Sequence, residues 1–147
     1  MTPNSSLVPL PDTNILVHFV RQSPLYRRIE AQYLLSPTDP QPVLSIVSRG
    51  EILAFADRNN WGGARRQRIS EFVARCEVLS LDYPGIVEAY AELSEISRLS
   101  GRTMSDNDLW IAATASVTGA TVLTTDKDFD HLYPKWILRE WISPNTP

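Results

Sequence analysis

Apolar and polar positions along this 147-residue chain follow two periods. Short apolar or β-branched runs occur at Leu7–Pro11, Val43–Val47, Glu77–Leu81, Thr121–Thr125 and Lys135–Ile142. Each has the length and residue type of a strand. Between them, apolar residues recur at three- and four-residue intervals, as on one face of a helix. The run I-L-V-H-F-V-R after Asp12 reads as a first helix. Ser23 to Leu35 reads as a second, with Ser23 as cap, Pro24 in the first position, and Leu25, Ile29, Tyr33, Leu34 and Leu35 inward. The proline-rich stretch 37–42 is a loop. Ser48 reads as the cap of a third helix, whose apolar side is Ile52, Leu53, Phe55 and Ala56. Gly62 to Arg75 turns Ile69, Phe72 and Val73 inward, and Pro84 opens a further helix that runs to about Ser100, with Gly101 as its cap. A last helix, rich in small residues, runs from Ser105 until Gly119 breaks it. Pro9 and Pro11 have no N–H to give a ladder, which makes the first run an awkward central strand. The alternation of strands and helices predicts a single α/β domain over residues 1–147, built on a central, mainly parallel sheet of four to five strands.

Composition adds bounds. A hydrophobic share of 43% and a charged share of 21% belong to an ordinary globular chain, long enough to build a core without disulfides. Cys76 is the single cysteine, so no intramolecular disulfide forms, and with two scattered histidines it makes no zinc site. No apolar run is long enough to span a bilayer, and the first ten residues lack a basic start and a long apolar core. A cytoplasmic location is the expectation. The net charge of −3 weighs slightly against nucleic acid. Without Asp12, Glu51, Asp108 and Asp126, however, 13 acids face 14 bases, so the acidity lies in those four.

Those four also stand where a site would form. Parallel α/β sheets gather ligands at the carboxyl ends of strands, where the strand order reverses. Asp12 ends the first run and Asp126 the fourth. Glu51 lies on the helix after the second, and Asp108 in the first turn of the helix before the fourth. Grouped carboxylates repel one another and suit a hard cation such as Mg2+ or Mn2+, which takes oxygen ligands and keeps water. Each acid also has a plain alternative. Asp12 can cap its helix, Glu51 can close a capping box with Ser48, and Asp106 reads as a cap rather than a ligand. Asp128 and Asp130 add negative potential. The D-K-D-F-D spacing suggests a calcium loop, but His131 and Ile137 occupy the positions that need glycine and glutamate. Arg58, Arg65, Arg66, Arg68 and Arg75 read as a solvated helix face before an RNA patch. His18 and His131 read as structural or surface residues, and Trp110, Trp136 and Trp141 as core or interface.

P-D-T-N-I-L-V, S-R-G-E-I-L, S-D-N-D-L-W-I-A-A-T-A and L-T-T-D-K-D-F-D stand in this order. They resemble the four acidic motifs of the PIN domain, and more narrowly those of VapC-type ribonuclease toxins from toxin–antitoxin pairs. The third, with the glycine and T-x-D-x-D-F that follow it, is the most specific. The prolines in the first strand depart from the usual apolar run. The resemblance covers nearly the whole chain and implies a three-layer α/β/α PIN-like fold. It implies that Asp12, Glu51, Asp108 and Asp126 form the catalytic and metal-binding quartet of an Mg2+- or Mn2+-dependent endoribonuclease. Asp12 and Asp108 would ligate directly, Glu51 directly or through water, and Asp126 would hold a second ion or place the attacking water. Thr13 or Asn14 would orient the first carboxylate, and Thr124 would bond water or phosphate. The implied products are a 5′-phosphate and a 3′-hydroxyl, and the implied partners are structured RNA such as tRNA, a VapB-type antitoxin and a second copy of the chain. Two other readings compete: a PIN-fold module that binds without catalysis, and a phosphatase of the haloacid-dehalogenase type. The phosphatase needs an aspartate two residues after Asp12, where Asn14 stands.

Overall fold

The structure, a computed structural model, describes residues 7–33 and 41–144. The elements run in the order β1 (Pro9–Pro11), α1 (Thr13–Arg21), α2 (Pro24–Tyr33), β2 (Val43–Ser45), α3 (Ile46–Arg58) and α4 (Gly63–Arg75). They continue with β3 (Glu77–Leu79), α5 (Ile86–Leu99), α6 (Asp106–Thr118), β4 (Thr121–Thr124), a 3-10 turn (Asp130–Leu132) and β5 (Leu138–Trp141). Leu34, Leu35 and most of the 37–42 loop lie outside the described residues. Among the described residues no helix is long and apolar enough to cross a membrane.

All five strands are shorter than their apolar runs: β2, β3 and β4 give up the end of the run to the helix or turn that follows, β1 begins two residues late and β5 three. The pairings β1–β4, β4–β5 and β2–β3 are parallel. They form two ladders, β1-β4-β5 and β2-β3, rather than one sheet, although β2 lies beside β1. The prolines explain the split. The Val8 carbonyl accepts from Thr121 N–H, and Asp12 N–H donates to the Leu123 carbonyl, so even-numbered positions of this strand face β4. Backbone groups alternate sides along a strand, so positions 9 and 11 face β2, and there Pro9 and Pro11 have no N–H. The five strands therefore follow one another as β3, β2, β1, β4, β5, with a seam between β2 and β1. β5 is an edge strand, as its sequence suggests.

The strands place alternate residues on two faces. Leu10, Val43, Leu79 and Val122 share one core with Ile86 and Leu93 of α5 and Leu109 and Ile111 of α6. On the other face Leu44 packs with α1, α3 and α4 through Leu16, Ile52, Ile69 and Phe72. There too Leu123 packs with Ile15 and with Leu25 and Ile29 of α2. This is the three-layer α/β/α arrangement. Helix α6 is buried on nearly all sides, and Ala112, Ala113 and Ala115 let it approach α5, α3 and the sheet closely.

Several caps fall elsewhere than the residue pattern suggests. Helix α3 starts at Ile46 with Ser45 as cap, whose hydroxyl accepts from Val47 N–H. Ser48 is inside the helix and buried, so it forms no capping box with Glu51. Ser105, not Asp106, caps α6, by accepting from Asp108 N–H at 3.1 Å. Helix α5 begins at Ile86 rather than Pro84. It ends in a Schellman turn around Gly101, with φ of 71° and Gly101 and Arg102 N–H bonded to the Arg98 and Ser97 carbonyls. The α4 arginines are not a bare solvated row. Arg66 pairs with Asp57 at 3.0 Å, and Arg68 donates to the Val20 carbonyl. His18 and His131 bond Ser23 and Ser97, as structural residues do.

Gly119 ends α6 at φ 75° and turns the chain into β4. An added Cβ would meet nothing within 4 Å there, so the backbone conformation alone opposes a side chain. Gly119→Ala is expected to cost about 1 kcal/mol, the left-handed penalty for an L residue. A denaturant midpoint unchanged by this substitution would contradict that assignment.

Candidate active site

Asp12 closes β1 and caps α1 at once. Its Oδ1 accepts from Ile15 N–H at 3.1 Å, and its Oδ2 from the Thr124 hydroxyl at 2.5 Å. The plain N-cap reading is therefore correct and does not compete with a place in the site. Asp12 is 3% exposed, and that burial raises its pKa to about 7, with the fields of Asp126 and Asp108 adding to the shift.

Thr124 ends β4, the strand paired with β1, and is fully buried. Its hydroxyl donates to Asp12 and accepts from Asp126 N–H at 3.0 Å. That single oxygen fixes the first and last acids relative to each other. It is committed inside the protein, so the expected bond to water or phosphate is corrected. Asp126 then receives the Asn14 amide at 2.9 Å. Its pKa is raised, by partial burial first and then by Asp128, against the lowering effect of Asn14.

Thr13 and Asn14 do not orient Asp12, as the sequence suggests. Thr13 donates to Glu51 Oε1 at 2.6 Å, across 38 residues, and Asn14 serves Asp126. Glu51 Oε2 accepts from the Asn107 amide at 2.9 Å. Freed from any capping box, Glu51 is held at both oxygens between the start of α1 and the first turn of α6. Asn107 is the residue that the sequence reading missed. Its only signal was a carboxamide placed between two aspartates at a helix start.

Asp108 sits one turn into α6, half-buried. Burial raises its pKa to about 6, followed by the fields of Asp128, Asp126 and Glu51. Asp106 faces away and accepts from the Tyr90 hydroxyl at 2.7 Å, while the Tyr90 ring stacks on Trp110. Asp128 acts on Asp108 and Asp126 through its field, and Asp130 lies 3.4 Å from Arg139.

All four predicted acids thus lie at the carboxyl ends of the strands, in one negative field. Asp12 and Asp126 stand at the β1–β4 junction, where the strand order reverses. Among the described residues, though, no three Asp, Glu, His or Cys side chains are disposed to close on one ion together. The oxygens fit instead a cation held by one or two carboxylates and completed by water and substrate. Two carboxyls that resist ionisation, Asp12 and Asp108, are the donors whose state a cation would change most. An open groove of about 460 Å3 leads away from Glu51 and Asn107 along α3. Another hollow, of about 350 Å3, lies at the amino ends of β1, β4 and β5, on the side away from the acids.

Residues 10–134 match the PIN domain family profile. No curated protein sequence matches the chain. Among solved structures, the chain is similar to VapBC2 from Rickettsia felis bound to a fragment of promoter DNA. The TM-score is 0.76 at 20% identity, over 91% of this chain and 98% of that one. It is similar to FitAcB from Neisseria gonorrhoeae, with TM-score 0.68 and 23% identity over 90% and 96% of the two chains. It is also similar to VapBC-5 of Mycobacterium tuberculosis, a member of the VapBC family of toxin–antitoxin systems. That match has TM-score 0.63 and 25% identity over 92% and 97%. The profile covers most of the sequence, and its span takes in all four acids and both strands that place them at the reversal point; the chain belongs to the PIN domain family.

Proposed function

We propose that the protein is a metal-dependent endoribonuclease, the toxin of a toxin–antitoxin pair, which hydrolyses phosphodiesters in tRNA or another structured RNA. The observation that carries this reading is the pairing of Asp12 and Asp126 through Thr124, with Asp108 and Glu51 in the same field. The VapBC complexes among its structural neighbours support an antitoxin as its partner. A homodimer is part of the same proposal.

The donor set is hard oxygen, which suits Mg2+ or Mn2+ over softer ions. Asp12 and Asp108 would hold the ion directly, Glu51 directly or through water, and Asp126 would hold a second ion or place the attacking water. When bound, the metal supplies an activated water and offsets charge on the leaving oxygen. The chain's own residues do the positioning. Thr124 holds the Asp12 Oδ2 through its hydroxyl, and the Asn14 amide holds Asp126. Thr13 and Asn107 hold Glu51 against rotation, so its charge stays near the groove. Bonds of this kind around ligating groups commonly set affinity and activity.

Purified protein is expected to cleave RNA with Mg2+ or Mn2+, and to lose cleavage in EDTA or as Asp12→Asn. Cleavage that persists in EDTA sinks the proposal.

Asn107→Ala is expected to lower divalent-ion affinity or activity by about 10- to 100-fold, as loss of a supporting bond does. Calorimetric titration with Mn2+ measures this, and an unaltered isotherm and turnover would deny Asn107 the role.

The raised carboxyl pKa values also set a pH dependence for the metal-free protein. An unfolded Asp releases its proton near pH 4, whereas folded Asp12 keeps it to about 7 and Asp108 to about 6. The folded chain binds more protons across that window, so these two groups contribute stability at low pH that is lost as pH rises through it. His18 and His131, with lowered pKa, push the other way below about pH 6.5. The difference between Asp12→Asn and the parent isolates the aspartate. In EDTA the variant's unfolding temperature, relative to the parent, is expected to climb from pH 5 to pH 8. A flat difference would remove the strained carboxyl from the account.

A further inference from the structure

The groove along α3 is lined from the start of the helix to its end by Ile46, Val47, Gly50, Glu51, Ala54 and Arg58, with Asn107 of α6 beside them. Arg58 is seven residues beyond Glu51 on the same helix, which places it roughly 10 Å further along the axis at 1.5 Å per residue. It is exposed, and among the described residues it makes no hydrogen bond or ion pair. Asp57, the acid beside it in sequence, is turned to Arg66 at 3.0 Å. Arg66 is further tied to the Trp61 carbonyl, and Arg68 to that of Val20. Arg66 and Arg68 thus spend donors on partners within the chain, whereas Arg58 keeps its own among the described residues. Ala54, one turn before Arg58, and Gly50 before it are small, which leaves room for a sugar–phosphate chain along this side of the helix.

We propose that Arg58 is a phosphate-binding positioning residue. It grips a backbone phosphate of single-stranded RNA next to the scissile one and lays the strand along α3 toward Glu51. This rests on the nuclease reading above and adds the path of the substrate. A guanidinium suits the task because its fork of donors matches two phosphate oxygens. It also balances the site. An acidic cluster repels a polyanion, and a cation placed a short distance off holds the strand without neutralising the carboxylates. A phosphate contact carries no base information, so Arg58 would strengthen binding on all sequences alike.

The test measures binding of a fluorescent single-stranded RNA by anisotropy across a KCl series, in the non-cleaving Asp12→Asn protein. Arg58→Ala is expected to weaken binding several-fold and to reduce the slope of log affinity against log salt by about 0.7, the loss of one phosphate contact. Arg58→Lys is expected to keep the slope. Arg98→Ala, on α5 and paired with Glu95, is expected to change neither quantity. In the cleaving parent, Arg58→Ala should raise KM and leave kcat within about twofold, the pattern of lost uniform binding. An unchanged salt slope beside intact parental cleavage overturns this inference alone, as does an equal loss in Arg98→Ala. Absence of cleavage by the parent overturns the nuclease reading, and this inference with it.

Discussion

The hydrogen bond from the Thr124 hydroxyl to Asp12 joins the ends of two strands that are 112 residues apart in sequence. It exists because β1 and β4 pair in parallel with Pro11 opposite Leu123, so their carboxyl ends finish level. A shift of one residue would turn every side chain to the other face and separate the two acids. The cores on both sides of the sheet guard against that shift. Leu10 and Val122 fill one face, and Leu123 fills the other. The site's geometry is therefore a by-product of register, and register is a by-product of which side chains must be buried.

That arrangement has a cost, which the chain accepts locally. Asp12 is almost wholly buried with no cation partner among the described residues, and its two hydrogen bonds offset only part of the penalty. Replacing it with asparagine would relieve the repulsion but set an NH2 where Oδ2 accepts from the Thr124 hydroxyl. Sites that gather like charges commonly trade stability for function in this way. The surroundings absorb the strain through dense packing, since α6, which carries Asp108, is buried on nearly all sides by small residues.

Much of the fold and the acids' positions could be read from residues, for identifiable reasons. Strands and helices announce themselves by period, and Asp12, Glu51, Asp108 and Asp126 could be placed at strand ends or helix starts from that alone. The caps could not. Ser45 and Ser48 are equally good capping residues and both are fully buried, and only the point where the strand ends, with Val47 N–H on the Ser45 hydroxyl, decides between them. Ser105 and Asp106 present the same ambiguity one residue apart. Asn107 was invisible because its meaning is a contact 56 residues away, and an amide carries no charge to betray it. The roles of Thr13, Asn14 and Thr124 were misdirected for a similar reason. Each lies beside an acid in sequence but serves a different one in space, except Thr124, which serves both its neighbour and a distant one.

The seam left by Pro9 and Pro11 acquires a mechanical meaning from what lies on each side of it. Asp12 and Asp126 belong to the β1-β4-β5 half, while Glu51 rides on the helix that leaves β2. Pairing across the seam can at most run one way, from N–H groups of β2 to prolyl carbonyls, so the sheet is least stiff in shear along this line. Two missing protons in the backbone thus leave side chains to do what a ladder would, and the Thr13–Glu51 bond ties the helix after β1 to the helix after β2.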